Sequence, residues 1–300
     1  MAAVSHPPVA ILGAGSIGVA FAILFATNGF DVTVYDPVEE ALPRAAEDLA
    51  LRLAQLGTDT DRVTFTTDLP AALAGAGFVQ ECAPERADLK RTLLQRAAAL
   101  ADADVPLVSS SSAIVASTLA EGLAPQIAAR VLVGHPGNPP YLLPVVEVVP
   151  SPATAEAIVA DTVAVYRSAG LRPVLVRKEV EGFVFNRLQG ALLREAYCLV
   201  RDGVATVDDI DEVVRSGLGL RWSFMGPFET ADLNTRGGIA SHAAKMGPAY
   251  ERMGAERGQY DPWTPELVAE VTAQRRALLD LQDWDQRVRW RDRKLIELRR

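Results

Sequence analysis

The chain has 300 residues, 49% of them hydrophobic, which suits about two domains with buried cores. A formal net charge of −8 disfavours nucleic acid and anionic membrane surfaces as main partners, so an anionic ligand has to be held by local groups. Cys82 and Cys198, without a CxxC or a Cys/His cluster, do not support a disulfide framework or a metal site. With no basic residue before Arg44, a cytoplasmic protein without a signal or transit peptide is expected.

The first organised stretch is VAILGAGSIGVAFAILFATNGFDVTVYD, from Val9 to Asp36. An apolar strand runs into Gly13, Gly15 and Gly18, a helix follows to Gly29, and a second strand ends on Asp36. Gly13 permits the tight turn, Gly15 lets the backbone approach a pyrophosphate, and Gly18 lets helix and strand pack closely. The phosphates are expected on the helix N-terminus, at Ser16 and Ile17, where free N–H groups and the helix dipole favour an anion. Asp36 is placed to accept hydrogen bonds from the adenosine ribose and to repel a 2′-phosphate, so NAD is expected rather than NADP. Val9 to Ala26 carries no charge and is long enough to raise the question of a membrane span, but its three glycines and lack of a basic flank argue against insertion.

Helical spacing predicts a helix over Glu39–Leu56, then a strand over Asp61–Thr66, a short helix from Asp68 and a buried apolar strand, GFVQEC, over Gly77–Cys82. A helix over Arg86–Ala101, a strand over Pro106–Ser109, a helix over Ala113–Gly122 and a strand over Arg130–Gly134 continue the alternation. After His135 the rhythm changes: PGNPPYLLP is a proline-rich connection into the strand VVEVV, a helix over Ala153–Ala169 and a last strand over Pro173–Val176. Beyond Glu181 only helices are expected: Gly182–Arg201, Val207–Ser216, Pro227–Asn234, Ile239–Met253 and Thr264–Arg300. The pattern implies an α/β chain, a Rossmann-type mostly parallel sheet domain over 1–180 followed by an all-helical domain over 181–300. Arg287, Arg289, Arg291, Arg293 and Lys294 interleave with apolar residues and read as a solvated or subunit-facing amphipathic helix.

Of three histidines, His135 alone stands at the carboxyl end of a predicted sheet strand, where open α/β sheets place their ligands. It is the candidate base. Twelve residues on, Glu147 interrupts an apolar strand; if PGNPPYLLP folds the chain back, its carboxylate reaches one imidazole nitrogen, fixing the tautomer and stabilising the imidazolium. The alternative is a Glu147 that points outward from a half-exposed strand. Ser109 to Ser112 crowd the mouth of the sheet, to hold a substrate oxygen or to cap the next helix.

Together, GHPGNPPYLLPVVEVV, the serine run, ECAPERADLK, EGFVFNRLQ and GLGLRWSFMGPFE resemble the 3-hydroxyacyl-CoA dehydrogenase superfamily, in its branch containing lambda-crystallin and L-gulonate 3-dehydrogenase. The resemblance covers about residues 8 to 255. It implies a catalytic pair at His135 and Glu147, a substrate-oxygen serine at Ser112 with Ser111 an alternative, an asparagine at Asn186 near the interdomain hinge, NAD contacts at Glu85 and Lys90, and Asn138 towards the nicotinamide. It also implies a homodimer paired through the helical domain. The implied reaction is hydride transfer from a secondary alcohol whose proton His135 removes.

Acyl-CoA is disfavoured as substrate because Glu39 to Asp61 offers few basic residues to its phosphates. Arg221, in LRWSFMGP, is instead suited to clamp a small carboxylate through paired hydrogen bonds, and a compact 3-hydroxy acid such as a sugar acid is expected. Glu229 is the alternative, structural partner for Arg221, while Asn234 and Ser241 are further candidates to face the pocket. L-Carnitine, a short acyl-CoA or a diketo ester are the alternative substrates, Trp222 being available to a trimethylammonium group. A non-catalytic NAD-binding structural role is the reading from another class.

Overall fold

In the computed structural model, which describes residues 6–259 and 264–290, the chain divides into two compact units, through Leu192 and from Leu193. The first is built on β1 (Val9–Leu12), α1 (Ser16–Thr27), β2 (Val32–Tyr35), α2 (Ala41–Leu56), β3 (Val63–Thr66), α3 (Leu69–Leu73), β4 (Phe78–Glu81), α4 (Ala87–Leu100) and β5 (Leu107–Ser109). It continues with α5 (Ala116–Ala120), α6 (Pro125–Ala128), β6 (Val131–Pro136), β7 (Val145–Pro150), α7 (Glu156–Ser168) and β8 (Arg172–Leu175), and then enters α8 (Phe185–Arg201). The eight strands form one sheet in the order β3-β2-β1-β4-β5-β6-β7-β8. All neighbours are parallel except β6 and β7, which pair antiparallel and put His135 directly opposite Glu147.

Alternate residues of β1 explain why both faces are covered. Val9 and Ile11 join one core with Phe21, Phe25, Phe78 and Tyr166; Ala10 and Leu12 join another with Leu94, Leu107 and Val131. Strands buried on both faces need continuous apolar runs, and β1 is buried at all four positions. The uncharged segment of α1 is therefore a core helix: Gly18 to Ala26 are all buried within its 12 residues. Among the described residues no helix is long and apolar enough to cross a membrane. By contrast α2 buries only Ala45, Leu49 and Leu53, a stripe at helical spacing, and ends at Gly57 with φ 65°.

Elements of this unit also differ from the sequence expectation. The helix expected over Ala113–Gly122 shortens to α5, because the amides of Ser112, Ala113 and Ile114 are bound by the Glu85 carboxylate and the Ser111 hydroxyl. Beyond Gly122, which has φ 76°, the unexpected turn α6 begins on proline. The strand GFVQEC is also not purely apolar inside. Gln80 accepts from the Tyr166 hydroxyl, and Glu81 is fully buried.

In the second unit follow α9 (Val207–Val213), a π-helical turn (Val214–Leu218), α10 (Gly219–Trp222), α11 (Pro227–Asn234), α12 (Gly238–Glu256) and α13 (Pro265–Leu278). A capping box between Thr206 and Asp209 starts α9, and the Asp232 carboxylate accepts from Ile239 N at the start of α12. The single helix expected from Thr264 onward is broken: Leu279 is extended at φ −151°, and Asp280 caps a short turn, Leu281–Asp283. Trp284 Nε1 donates to the Asp232 carbonyl, and the Arg287 guanidinium bonds Glu229 and lies 3.4 Å from the Trp290 ring centroid. Arg291, Arg293 and Lys294 of the expected basic helix lie outside the described residues.

Candidate active site

The loop from β1 into α1 shows what each glycine is for. Gly13 has φ +119°, and a Cβ there would meet the Cys82 carbonyl oxygen at 2.7 Å; a Cβ at Gly18 would meet the Gly13 oxygen at 1.9 Å. At Gly15, by contrast, nothing lies within 4 Å. That space faces a cleft of about 670 Å³ lined by Gly13, Gly15, Ser16, Ile17 and Asp36, with Arg96 also in its wall. The first amides of α1 point where no helical carbonyl reaches them, and no side chain caps them. Asp36 Oδ2 accepts from Ala14 N at 2.9 Å and Oδ1 from Val38 N at 3.0 Å, which holds the carboxylate at the end of β2. An open glycine, an uncapped helix start and an acid at the end of the second strand fit a dinucleotide with an unsubstituted 2′-hydroxyl.

At the other side of the sheet's carboxyl end, His135 is 6% and Glu147 3% exposed, with Nδ1 and Oε2 2.8 Å apart. Glu147 Oε1 accepts from Val184 N at 2.7 Å and Phe185 N at 3.0 Å, at the start of α8. Burial raises the Glu147 pKa, but the bonds from His135 and from these two amides outweigh it and hold the carboxyl below its ordinary value. An ionised carboxylate only accepts, so Nδ1–H donates to it, and in the neutral imidazole the lone pair then lies on Nε2.

The serine run separates into different environments. Ser109 Oγ donates to Glu81 Oε2, and Ser111 is buried, its hydroxyl donating to Glu85 Oε1 and accepting from Ile114 N. Ser112 is exposed, its amide bound to Glu85 and its carbonyl 3.4 Å from the Asn186 side-chain amide. Glu85 and Lys90, expected at the cofactor, are engaged with protein groups. Lys90 is buried, donating to both oxygens of Glu81 and to the Ala83 carbonyl, and lies 3.5 Å from Glu85. Burial raises the Glu85 pKa, but the Ser111 hydroxyl, Lys90 and the two loop amides hold it below its ordinary value. Burial pushes Glu81 up, opposed chiefly by Lys90. Asn138 is exposed in the connection between β6 and β7.

Arg221 lies on α10 in the second unit, its Nε buried without a hydrogen-bond partner among the described residues. Glu229, its alternative structural partner, is engaged instead by Arg287 and Arg275.

Several residues at these sites were not singled out by sequence reasoning. Arg52 of α2 donates to the Ser16 hydroxyl at 2.9 Å and its carbonyl at 3.2 Å, while Asp48 holds its other edge. Phe183 and Phe185 place their rings 5.5 Å and 6.4 Å from the imidazole centroid. The one available signal was Glu81, a charge inside an otherwise apolar strand, like Glu147.

The doubly wound sheet and its glycine cradle define a dinucleotide-binding protein. The chain belongs to the 3-hydroxyacyl-CoA dehydrogenase family: the model of its NAD binding domain matches residues 8–180 and that of its C-terminal domain residues 182–278. It is 38% identical to a 3-hydroxyacyl-CoA dehydrogenase of Gibberella moniliformis (97% of this chain, 93% of the relative). It is 35% identical to lambda-crystallin of Oryctolagus cuniculus (100% and 98%) and 42% identical to L-carnitine dehydrogenase of Pseudomonas aeruginosa (90% and 83%). Among solved structures it resembles 5-formyl-3-hydroxy-2-methylpyridine 4-carboxylic acid 5-dehydrogenase, an NAD-dependent dismutase, with a TM-score of 0.73 at 29% identity over 92% of this chain and 97% of that one. The protein is an NAD-dependent oxidoreductase acting on CH–OH groups.

Proposed function

We propose that this dehydrogenase oxidises the 3-hydroxyl of a small hydroxy acid of the L-gulonate type, with His135 as base. The observation that carries the reading is the buried pair of His135 Nδ1 and Glu147 Oε2, which leaves Nε2 able to take a hydroxyl proton. Bound NAD supplies the hydride acceptor at its nicotinamide. Gly13, Gly15, Ser16, Ile17, Gly18 and Asp36 would hold it, with Glu85 and Lys90 as second-tier contacts and Asn138 towards the nicotinamide. Glu147 keeps the proton on Nδ1 and stabilises the imidazolium once Nε2 is protonated. Ser112 and Asn186 align the substrate oxygen, and in the reverse direction His135 Nε2 returns the proton.

Arg221 anchors the substrate carboxylate in this reading. Support comes from its buried Nε, and from Glu229 being engaged by other arginines. The protein works in the cytoplasm as a homodimer, with domains over 1–180 and 181–300, and needs no nucleic acid or membrane partner. L-Carnitine is the second substrate reading, favoured by the 42% identity to L-carnitine dehydrogenases.

A panel of L-gulonate, other 3-hydroxy acids, L-carnitine and 3-hydroxybutyryl-CoA, followed by NADH absorbance, tests the assignment. A kcat/KM at least about tenfold higher for a carboxylate-bearing 3-hydroxy acid than for the CoA thioester is expected, and Arg221→Ala should raise KM for that acid by about 10- to 100-fold. Preference for the thioester, or an unchanged KM in Arg221→Ala, refutes it. NADH binding without turnover of any compound would favour a non-catalytic role.

A further inference from the structure

We infer that Phe183 is a positioning residue for the reaction: its ring braces the His135 imidazole while its left-handed backbone turns the next two amides onto Glu147. The inference rests on the reading of His135 as base and Glu147 as its orienting acid.

The first observation is conformational. Phe183 has φ +47°, the only described non-glycine residue with positive φ, and it follows Gly182 at φ +76°. A bulky side chain in the left-handed region is strained relative to its ordinary basins. Glycine would supply the same backbone turn without that cost, so the turn by itself does not explain a phenylalanine. Its side chain has to contribute something that a hydrogen could not.

What the side chain touches supplies the second observation. Phe183 is fully buried, and its ring centroid stands 5.5 Å from that of His135, tilted by 53°. Phe185 approaches the same imidazole edge-on at 6.4 Å. The hydrogen bond to Glu147 restrains the imidazole at Nδ1 only. A ring held at one atom still pivots, and an apolar wall limits that pivot and with it the direction of Nε2.

The third observation joins the two. The turn made at Gly182 and Phe183 is followed directly by Val184 and Phe185, whose amides both donate to Glu147 Oε1. Glu147 is almost fully buried, so this oxygen depends on those amides for its partners. One two-residue turn therefore sets a wall against the imidazole and fixes the carboxylate that orients it. A phenylalanine that merely filled the core would need neither the left-handed backbone nor the histidine contact.

The test uses Phe183→Gly, which suits the backbone and deletes the ring, and Phe183→Leu, which keeps apolar bulk. Three histidines make the long-range ¹H–¹⁵N imidazole spectrum assignable with His6→Gln and His242→Gln controls. In the parent enzyme His135 should appear as the Nδ1–H tautomer with a deshielded, hydrogen-bonded proton. In Phe183→Gly that proton signal should be lost to tautomer averaging. Its kcat on the best panel substrate should drop about 10- to 100-fold with the NADH dissociation constant within about twofold, and Phe183→Leu should fall between it and the parent. A folded Phe183→Gly with a parental imidazole spectrum and a kcat within about twofold overturns the inference. Should that variant not fold, Phe183→Leu decides: parental spectrum and kcat overturn it, while a lower kcat with unchanged NADH affinity supports it. His135→Gln in the same assay keeps the two ideas separable. Parental turnover by His135→Gln sinks the base assignment, whereas an inactive His135→Gln beside a fully active Phe183→Gly sinks only the inference about Phe183.

Discussion

Glu147→Gln is the sharpest test of the proposed chemistry because it changes a proton inventory without changing size. The carboxylate accepts three hydrogen bonds, from His135 Nδ1 on one oxygen and from the Val184 and Phe185 amides on the other. A glutamine has one acceptor oxygen and one donor NH₂. If the oxygen stays on the two backbone amides, the NH₂ faces Nδ1, and the imidazole must become the Nε2–H tautomer to accept it. That tautomer has no lone pair at Nε2 for a hydroxyl proton. General base catalysis contributes about 10²- to 10⁴-fold, so the barrier should rise by roughly 3–5 kcal/mol. Steady-state rates of NADH formation should show this loss in kcat, with NADH affinity within about twofold because Glu147 does not line the nucleotide cleft. Glu147→Ala should lose as much activity and in addition unfold at lower temperature, because two amides lose their acceptor at about 1–3 kcal/mol each where buried. A folded Glu147→Gln enzyme that keeps its kcat within about tenfold would refute the reasoning.

The two glycines of the cradle should fail differently. Gly18→Ala puts a Cβ 1.9 Å from the Gly13 carbonyl oxygen and should lower Tm sharply, whereas Gly15→Ala enters open space and should fold normally but weaken NADH binding by calorimetry. Asp36→Ser should shift the NADP-over-NAD ratio of kcat/KM upward by about 10- to 100-fold; an unchanged ratio would mean that Asp36 only ties Ala14 and Val38. Lys90→Met leaves the buried Glu81 carboxylate without its cation and should cost about 3–5 kcal/mol in denaturant unfolding. The depressed pKa of Glu147 makes a stability contribution that is complete above its unfolded value of about 4.3 and is lost as pH falls through the lower folded value. The drop in Tm on acidification below that point should accordingly be shallower in Glu147→Gln.

The second unit bears on stability as well. Asp232 is fully buried, accepts from Ile239 N at the start of α12, and pairs with Arg276 of α13. Glu229, one turn earlier, pairs with Arg275 and Arg287. These pairs account for where the chain bends after Leu278, since Trp284 and Arg287 must return to α11.

Much of the fold was legible in the amino-acid order because its causes are local. Gly13, Gly15 and Gly18 announce a turn, a close approach and a tight packing contact; the uncharged run of α1 and the stripe of α2 announce how deeply each is buried. Glu147 was legible for the opposite reason, as a charge that an apolar strand does not tolerate without a partner. What the order of residues could not decide is anything that depends on partners distant along the chain. The antiparallel register that sets His135 against Glu147, the division of the serine run into buried Ser111 and exposed Ser112, and the use of Glu85 and Lys90 as each other's neighbours are such cases. Each depends on which polar atoms meet once two strands or a strand and a helix are side by side. A left-handed Phe183 belongs with them, since a residue accepts that conformation only when the surrounding contacts repay its cost, and those contacts exist only in the folded chain.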